Sequence, residues 1–297
     1  MRDAPRVSVV VPTYNRAASL ERLLAALAAC ARPPGGVEFL IVDDGSTDST
    51  DDVLARSPLP GLTALHQVNG GAASARNRGW RAARGEVVAF TDDDCIPSCE
   101  WLVELTSALD EHMVDGIGGS VVPLHDNLLG HFVQAERMVS HGGDAATVKY
   151  LVTANAAFRR GALEEVGGFD ERFPGAAGED TDLTFRMQAH GLALTIVNDA
   201  RVAHDHRATF SGVLRTYFRH GRAWMILARV HHDRQLGTRS TSMTRPRYWR
   251  DRYLYYRSEG AAGAAAVGYC ALRGIGLVCF ASGMARESMA MRHAAES

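Results

Sequence analysis

What most constrains this chain is the punctuation of its first half, where short apolar runs alternate with helix-period segments and each run ends in polar or acidic residues. The run 7–11 is apolar and closes at Pro12, and segment 19–30 then sets Leu20, Leu23, Leu24 and Leu27 on one helical face. Runs 39–42, 63–67 and 87–90 read as the next strands, with helices over 46–55 and 72–84 between them. Ser98 reads as the N-cap of a further helix ending at His112. Strand–helix alternation with short links predicts an α/β fold, a doubly wound, mostly parallel sheet. Such sheets bind ligands beyond the carboxyl ends of their strands. Residues 12–15, 43–46, 69–71 and 92–94 all fall at those ends.

The second half is less regular. Segments 116–122 and 193–197 read as strands with a short piece, 152–159, between them, and 142–149 reads as a loop. From Ser211 the character changes, with Leu214, Tyr217, Gly221, Trp224 and Ala228 at helical spacing and Arg215, Arg219, Arg222 and Arg229 on other faces. Segment 235–247 is polar and reads as a hinge, and 260–284 is rich in Ala, Gly and large apolar residues. Charge divides the same way. The net charge is −2, yet residues 1–200 carry 16 basic and 28 acidic side chains, and residues 201–297 carry 16 and 6. The expected domains are therefore 1–210, an α/β unit, and 211–297, a basic and mainly helical extension. The near-neutral total gives no case for a nucleic-acid partner. Five scattered cysteines at no zinc-like spacing predict reduced thiols in the cytoplasm. The polar start and the short run 7–11 predict no signal peptide.

Three carboxylates in a row, Asp92, Asp93 and Asp94, close the fourth strand. They repel one another unless something positive sits among them, and Mg²⁺ or Mn²⁺ takes a few carboxylates while leaving positions for phosphate oxygens. Alternation along an extended strand end would turn Asp92 and Asp94 to one side, toward metal and diphosphate, and Asp93 to the other. Glu179 and Asp180 open a helix, where acids often only cap, but an attacking hydroxyl also needs a positioned base. His204 is either structural or completes a metal sphere. Asp44 is able to accept from a base imide, Tyr14 to stack a nucleobase, and Arg76 to reach a diphosphate, while the small residues after Asn69 let backbone approach a ligand. No G-x-G-x-x-G follows the first strand and no Walker loop is present, which disfavours a dinucleotide oxidoreductase or a P-loop NTPase.

Taken together, VSVVVPTYNR (7–16), FLIVDDGSTDST (39–50), ARNRG (75–79), GEVVAFTDDDCIP (85–97), GGFD (167–170) and GEDTDL (178–183) resemble glycosyltransferase family 2, the large inverting family with a GT-A fold. The resemblance implies a hexosyltransferase-like enzyme with a nucleotide-sugar donor, UDP-, dTDP- or GDP-linked, and a divalent metal, Mn or Mg, as cofactor. By motif position it puts Pro12 and Tyr14 at the nucleobase, Asp44 at its imide edge, and Asn69 and Arg76 on the nucleotide. Asp92 and Asp94 become the D-x-D element, with Asp92 and Asp93 also counted among the donor contacts. Glu179 and Asp180 become the catalytic pair, with Asp180 in the base position. Residues 153–155 resemble the segment lining the donor-sugar pocket, through Asn155, and His204 matches a late histidine that in some members meets metal or diphosphate. The processive signature Q-x-x-R-W is absent, which favours transfer of a single sugar to a hydroxyl of a lipid, glycan or natural product. A nucleotidyltransferase and a non-catalytic nucleotide-sugar binder stand as the alternatives. The first would show a basic Gly-rich loop after the first strand, and the second has no use for Asp180.

The extension leaves two readings open, a helix on the inner face of the cell membrane or one packed on the catalytic domain. Segment 260–284 is long enough to span a bilayer, but Arg273 within it costs on the order of 3 kcal/mol on insertion scales. A buried or membrane-surface helix is favoured over a span. Self-association of the chain is left open.

Overall fold

A computed structural model describes residues 4–296 except 137, 139, 174, 207, 208, 233 and 235–244. Most of the expected hinge, 235–247, lies outside the described residues. The chain divides into two units: residues 1–125 with 139–206, and residues 126–138 with 207–297.

The first unit is built on one mixed sheet. β1 (Val7–Thr13), β2 (Val37–Asp43), β3 (Leu62–His66) and β4 (Val87–Thr91) alternate with α1 (Ala17–Ala29), α2 (Thr50–Ala55) and α3 (Ala72–Ala82), as the sequence predicts. Next come β5 (Cys95–Pro97), α4 (Trp101–Glu111) and β6 (Gly116–Pro123). Helix α5 (Leu128–Ala135) belongs to the second unit, and the first resumes with β7 (Gly142–Gly143), β8 (Val148–Tyr150) and β9 (Asn155–Arg159). Helices α6 (Arg160–Val166) and α7 (Glu179–Ala189) and strand β10 (Leu194–His204) complete it. The spatial order is β3-β2-β1-β4-β9-β6-β10-β5. Pairs β1–β2, β2–β3, β1–β4 and β6–β10 are parallel; β9 runs antiparallel to both β4 and β6, and β5 antiparallel to β10.

Apart from Ser8 and Thr13, strand β1 is apolar, and both its faces are covered. Val7, Val9 and Val11 pack with Leu20, Leu23, Leu27, Trp101 and Leu105 on one side of the sheet. Val10 packs with Trp80, Phe90, Phe158, Phe169 and Leu183 on the other. This is the burial that a parallel strand between helical layers requires.

Two local expectations are corrected. The expected loop 142–149 contains the small antiparallel β7–β8 pair. Ser98 does not cap α4: the capping position is Glu100, no side chain caps the helix, and the Ser98 hydroxyl is buried without a partner.

The second unit consists of helices α5, α8 (Phe210–Val230), α9 (Pro246–Ser258) and α10 (Gly263–Glu296). Helices α8 and α10 cross at close range through glycine. A Cβ at Gly221 would lie 2.0 Å from the Phe280 carbonyl oxygen, and one at Gly283 would lie 2.1 Å from that of Phe218. Glu136 is buried among them, accepting from Tyr217 and Tyr256 (2.7 Å each) and paired with Arg273.

Candidate active site

The carboxyl ends of β1, β2 and β4, with the starts of α3 and α7 and the end of β10, bring most of the singled-out residues to one rim. At the end of β2, Asp44 is buried and accepts from the backbone N–H groups of Gly70 and Gly71 (2.8 Å each) and from Gln67 Nε2 (2.8 Å). Asn69 Nδ2 donates to the Asp44 carbonyl (3.1 Å). Asp44 thus shapes the loop that starts α3, a role its sequence position did not disclose. Gly71, at φ 88°, turns that loop into the helix. Near the end of β1, Pro12 is half-buried, and Tyr14 just beyond it is 46% exposed. Asn15, in the left-handed region at φ 53°, accepts from the Thr47 N–H (2.7 Å) and ties this turn to the one after β2. An exposed ring on a turn pinned at both sides suits stacking of a flat ligand.

The three aspartates do not alternate as a strand would. β4 ends at Thr91, and Asp92–Asp94 form a turn closed by a hydrogen bond from Cys95 N to Asp92 O (3.1 Å). The acids therefore divide between two arginines. Asp92 pairs with Arg76 (2.7 Å). Asp93 is buried, accepting from Thr13 Oγ1 (2.8 Å) and Arg16 Nη1 (3.1 Å). Asp94 is buried against Arg16 and lies 3.3 Å from His204 Nε2. The expected alternation is replaced by a turn in which Asp92 holds Arg76 while Asp93 and Asp94 share Arg16.

Arg76, only 3% exposed, joins the β4 turn to α7: its Nη1 reaches Glu179 (2.7 Å) while Nη2 holds Asp92, and it lies over the Phe169 ring. Neighbouring Asn77 donates to the Phe169 carbonyl and Glu171 and accepts from Trp80 Nε1 and the Phe169 N–H, all within 2.9 Å. That clasp fixes segment 167–171 against α3. Gly168 permits it, since a Cβ there would meet Trp80 Nε1 at 2.4 Å.

Electrostatics separate the acids. Burial alone would raise Asp92, but Arg76 and then His204 reverse this and hold its carboxyl below the usual range. Burial outweighs Arg16 at Asp93, whose pKa is pushed up to about 7. Glu179 is raised by burial against the opposing Arg76. Asp180 is raised by burial and by Glu179, and it accepts from the Thr181 N–H (2.7 Å). Of these two acids, Glu179 is tied to Arg76, while Asp180 pairs with no arginine among the described residues.

Asp94, Cys95 and His204 offer donor atoms within 4.8 Å of one another. Burial raises the Cys95 thiol well above its ordinary value, which disfavours it as a ligand. The Asp94 carboxylate and the His204 imidazole, whose Nδ1 is buried and without a partner among the described residues, are donors that suit a divalent cation.

Asn155 opens β9 beside Thr91, but its side chain turns into the interior. It is fully buried, accepting from Trp101 Nε1 (2.7 Å) and donating to the Ser120 and Ala200 carbonyls (2.8 and 3.0 Å). Its amide knits β9 to β6, β10 and α4, which corrects the expectation of a sugar contact from this side chain. Conversely, Arg16, Thr13, Asn77 and Phe169 stand in the quoted motifs without an assigned role; Thr13 and Arg16 hold Asp93 and Asp94, and Asn77 and Phe169 pack the 167–171 segment beside Arg76.

The family model for glycosyl transferase family 2 matches residues 8–167. The chain belongs to this family and is a glycosyltransferase. It is 29% identical over 239 residues to glycosyltransferase AglE of Haloferax volcanii, covering 75% of each chain. It is 34% identical to the pre-mycofactocin glycosyltransferase of Mycobacterium tuberculosis over 68% of this chain and 43% of that one. The validoxylamine A glucosyltransferase of Streptomyces hygroscopicus is 31% identical over 71% and 55%. The chain thus spans about half the length of the latter two. Among solved structures, the mannosyltransferase PcManGT from Pyrobaculum calidifontis, in complex with GDP-Man and Mn²⁺, aligns with a TM-score of 0.60 at 21% identity, over 99% of this chain and 76% of that one. S. aureus TarS 1–349 in complex with UDP-GlcNAc aligns at 0.56 and 16% identity, over 96% and 92%. These likenesses establish the GT-A fold. Membership of the family sets aside the nucleotidyltransferase and non-catalytic alternatives.

Proposed function

We propose that the protein transfers a single sugar, with inversion, from a nucleoside-diphosphate sugar to an acceptor hydroxyl, with Asp180 as the base. The observation that carries this reading is that Arg76 ties the Asp92–Asp94 turn, whose Asp94 faces His204, to the Glu179–Asp180 helix start. The relatives' names support the transfer, and the GDP-Man and UDP-GlcNAc complexes of the structural neighbours support a nucleotide-sugar donor. Tyr14 and Pro12 would flank the base, and the loop 69–71, held open by Asp44, would let backbone approach the nucleotide. Asp94 and His204, with Asp92 alongside, would hold Mn²⁺ or Mg²⁺, which when bound supplies positive charge against the departing diphosphate.

Arg76 and Glu179 position rather than react: Arg76 cancels charge between the acids and fixes Glu179, leaving Asp180 to take the acceptor proton. A base needs a free lone pair facing the acceptor, and Asp180 is the acid here that has no ion-pair partner among the described residues. Exchanging it should separate chemistry from binding. Asp180→Asn is expected to lose sugar transfer by at least 100-fold, while calorimetry shows nucleotide binding within a few-fold of wild type. Equal loss of both would make Asp180 structural.

The second unit supports a membrane-facing role at the inner side of the cell membrane. Helix α10 is the helix, among the described residues, long and apolar enough to cross a membrane, with a mean hydropathy of 1.7 in its most apolar window and 28% of that window buried. Val267, Ile275, Val278 and Met289 face outward, and the basic side chains of this part favour anionic lipid. Flotation of the full chain with anionic vesicles, and not with neutral ones, is expected. Equal recovery in the soluble fraction with both would remove the proposal.

A further inference from the structure

The two arginines of the rim are held differently. Arg76 is buried and fixed between Asp92 and Glu179. Arg16 stands at the capping position of α1, where its carbonyl accepts from the Ser19 and Leu20 N–H groups (3.0 Å each), so its backbone is anchored. Its side chain is 36% exposed, and a single nitrogen, Nη1, meets both Asp93 Oδ1 (3.1 Å) and Asp94 Oδ2. Among the described residues these two carboxylates are its only ion-pair partners. Asp94 is thereby engaged on both oxygens: Oδ1 faces His204, and Oδ2 carries Arg16.

A guanidinium and a divalent cation cannot share one carboxylate at low cost, since like charges a few ångströms apart in a partly buried site repel strongly. An anchored backbone with an exposed, long side chain has somewhere to go. We infer that Arg16 is the resident counter-ion of the donor site, occupying Asp94 until a diphosphate arrives and then moving onto that anion as the metal takes the carboxylate. Arg16 offers a planar fork of donors suited to phosphate oxygens. Arg76, locked by two carboxylates, cannot make the exchange. The cation and the nucleoside diphosphate therefore bind cooperatively, each helping to free or satisfy Arg16. This inference rests on the reading of Asp94 as a metal ligand, and the test separates the two.

Mn²⁺ binding to the full chain is read by the electron paramagnetic resonance of the free ion, with and without UDP or GDP. Wild type is expected to bind Mn²⁺ alone weakly and at least tenfold more tightly with a nucleoside diphosphate. Arg16→Gln should bind Mn²⁺ alone about tenfold more tightly than wild type and show a smaller gain from the nucleotide; Arg16→Lys should keep most of the coupling. Asp94→Asn should abolish specific Mn²⁺ binding in every background. If Asp94→Asn does so but a folded Arg16→Gln, checked by circular dichroism, binds Mn²⁺ alone no better than wild type, Arg16 is not a competitor and the metal reading stands. If Asp94→Asn changes nothing, the metal reading itself fails. Should Arg16→Gln not fold, equal wild-type affinity for Mn²⁺ with and without nucleotide overturns the inference.

Discussion

As the proposed base, Asp180 would meet two opposed demands: a base must be ionised at working pH, yet it must hold a proton well enough to take one. Burial, and after it Glu179, push its pKa up to about 7 against the pull of Arg76. The catalytic sign follows directly. The ionised form is the active one, so activity is lost as pH falls through the raised value. The acid limb of kcat/KM is expected near pH 7 rather than near pH 4, and it belongs to the Glu179–Asp180 pair because the two titrate together. A limb near pH 4 would place the base elsewhere. The stability sign is opposite to that of a salt-bridged acid. A carboxyl raised in the folded state contributes stability that is present below its unfolded pKa of about 4 and lost as pH rises through about 7. Asp180→Asn should therefore raise the melting temperature relative to wild type at pH 8 and not at pH 4; no difference between the two pH values would contradict the shift. The acids themselves were legible in sequence, because residues at the ends of strands and starts of helices are local features. Their partners were not. Three adjacent carboxylates announced that a positive charge was needed, but that Arg16 and Arg76 supply it depends on which turn folds over which. Asn155 shows the same limit: one residue into β9, it enters the sheet instead of facing the rim.

Helix α3 carries Arg76 and Asn77 to the site because it lies unusually close to the sheet. A Cβ at Gly79 would meet Val10 Cγ1 at 2.3 Å and Val42 Cγ2 at 3.2 Å. Only hydrogen fits there, and Arg76, one turn earlier on the helix, is set at the height of Asp92 by that contact. Gly79→Ala gains helix propensity but overpacks the α3–β1 contact. The expected net effect is a loss of about 1–3 kcal/mol in denaturant unfolding. Stability at or above that of wild type would mean that α3 can lift without cost. The helices and parallel strands of the first half were readable because their period differs and their links are short. Strand β9 was seen only as a short segment between strands, since an apolar run carries no mark of direction, and it runs antiparallel between β4 and β6. The β7–β8 pair is too short to leave a periodic trace.

At the scale of the whole chain, the charge asymmetry marked a change of character near residue 210, but not that residues 126–138 belong with the helices that follow. Sequence gave Arg273 a single meaning, an obstacle inside an apolar segment. In the fold it is 6% exposed, paired with Glu136 (2% exposed), with its Nε donating to Tyr248 (2.6 Å). The charge is thus turned inward, and α10 presents an apolar outer face without an ion on it between Ala264 and Ala285. A buried pair of this kind adds little net stability when intact, because desolvation offsets the attraction, but breaking it strands a charge. Arg273→Ala should therefore cost about 3–5 kcal/mol in the unfolding of the helical unit, followed by the fluorescence of Trp224 and Trp249 in α8 and α9. Arg273→Met combined with Glu136→Gln removes both charges and should recover most of that loss. If the double variant is no more stable than Arg273→Ala, the pair is not what costs, and the two tyrosine hydrogen bonds to Glu136 are the stronger hold on α5.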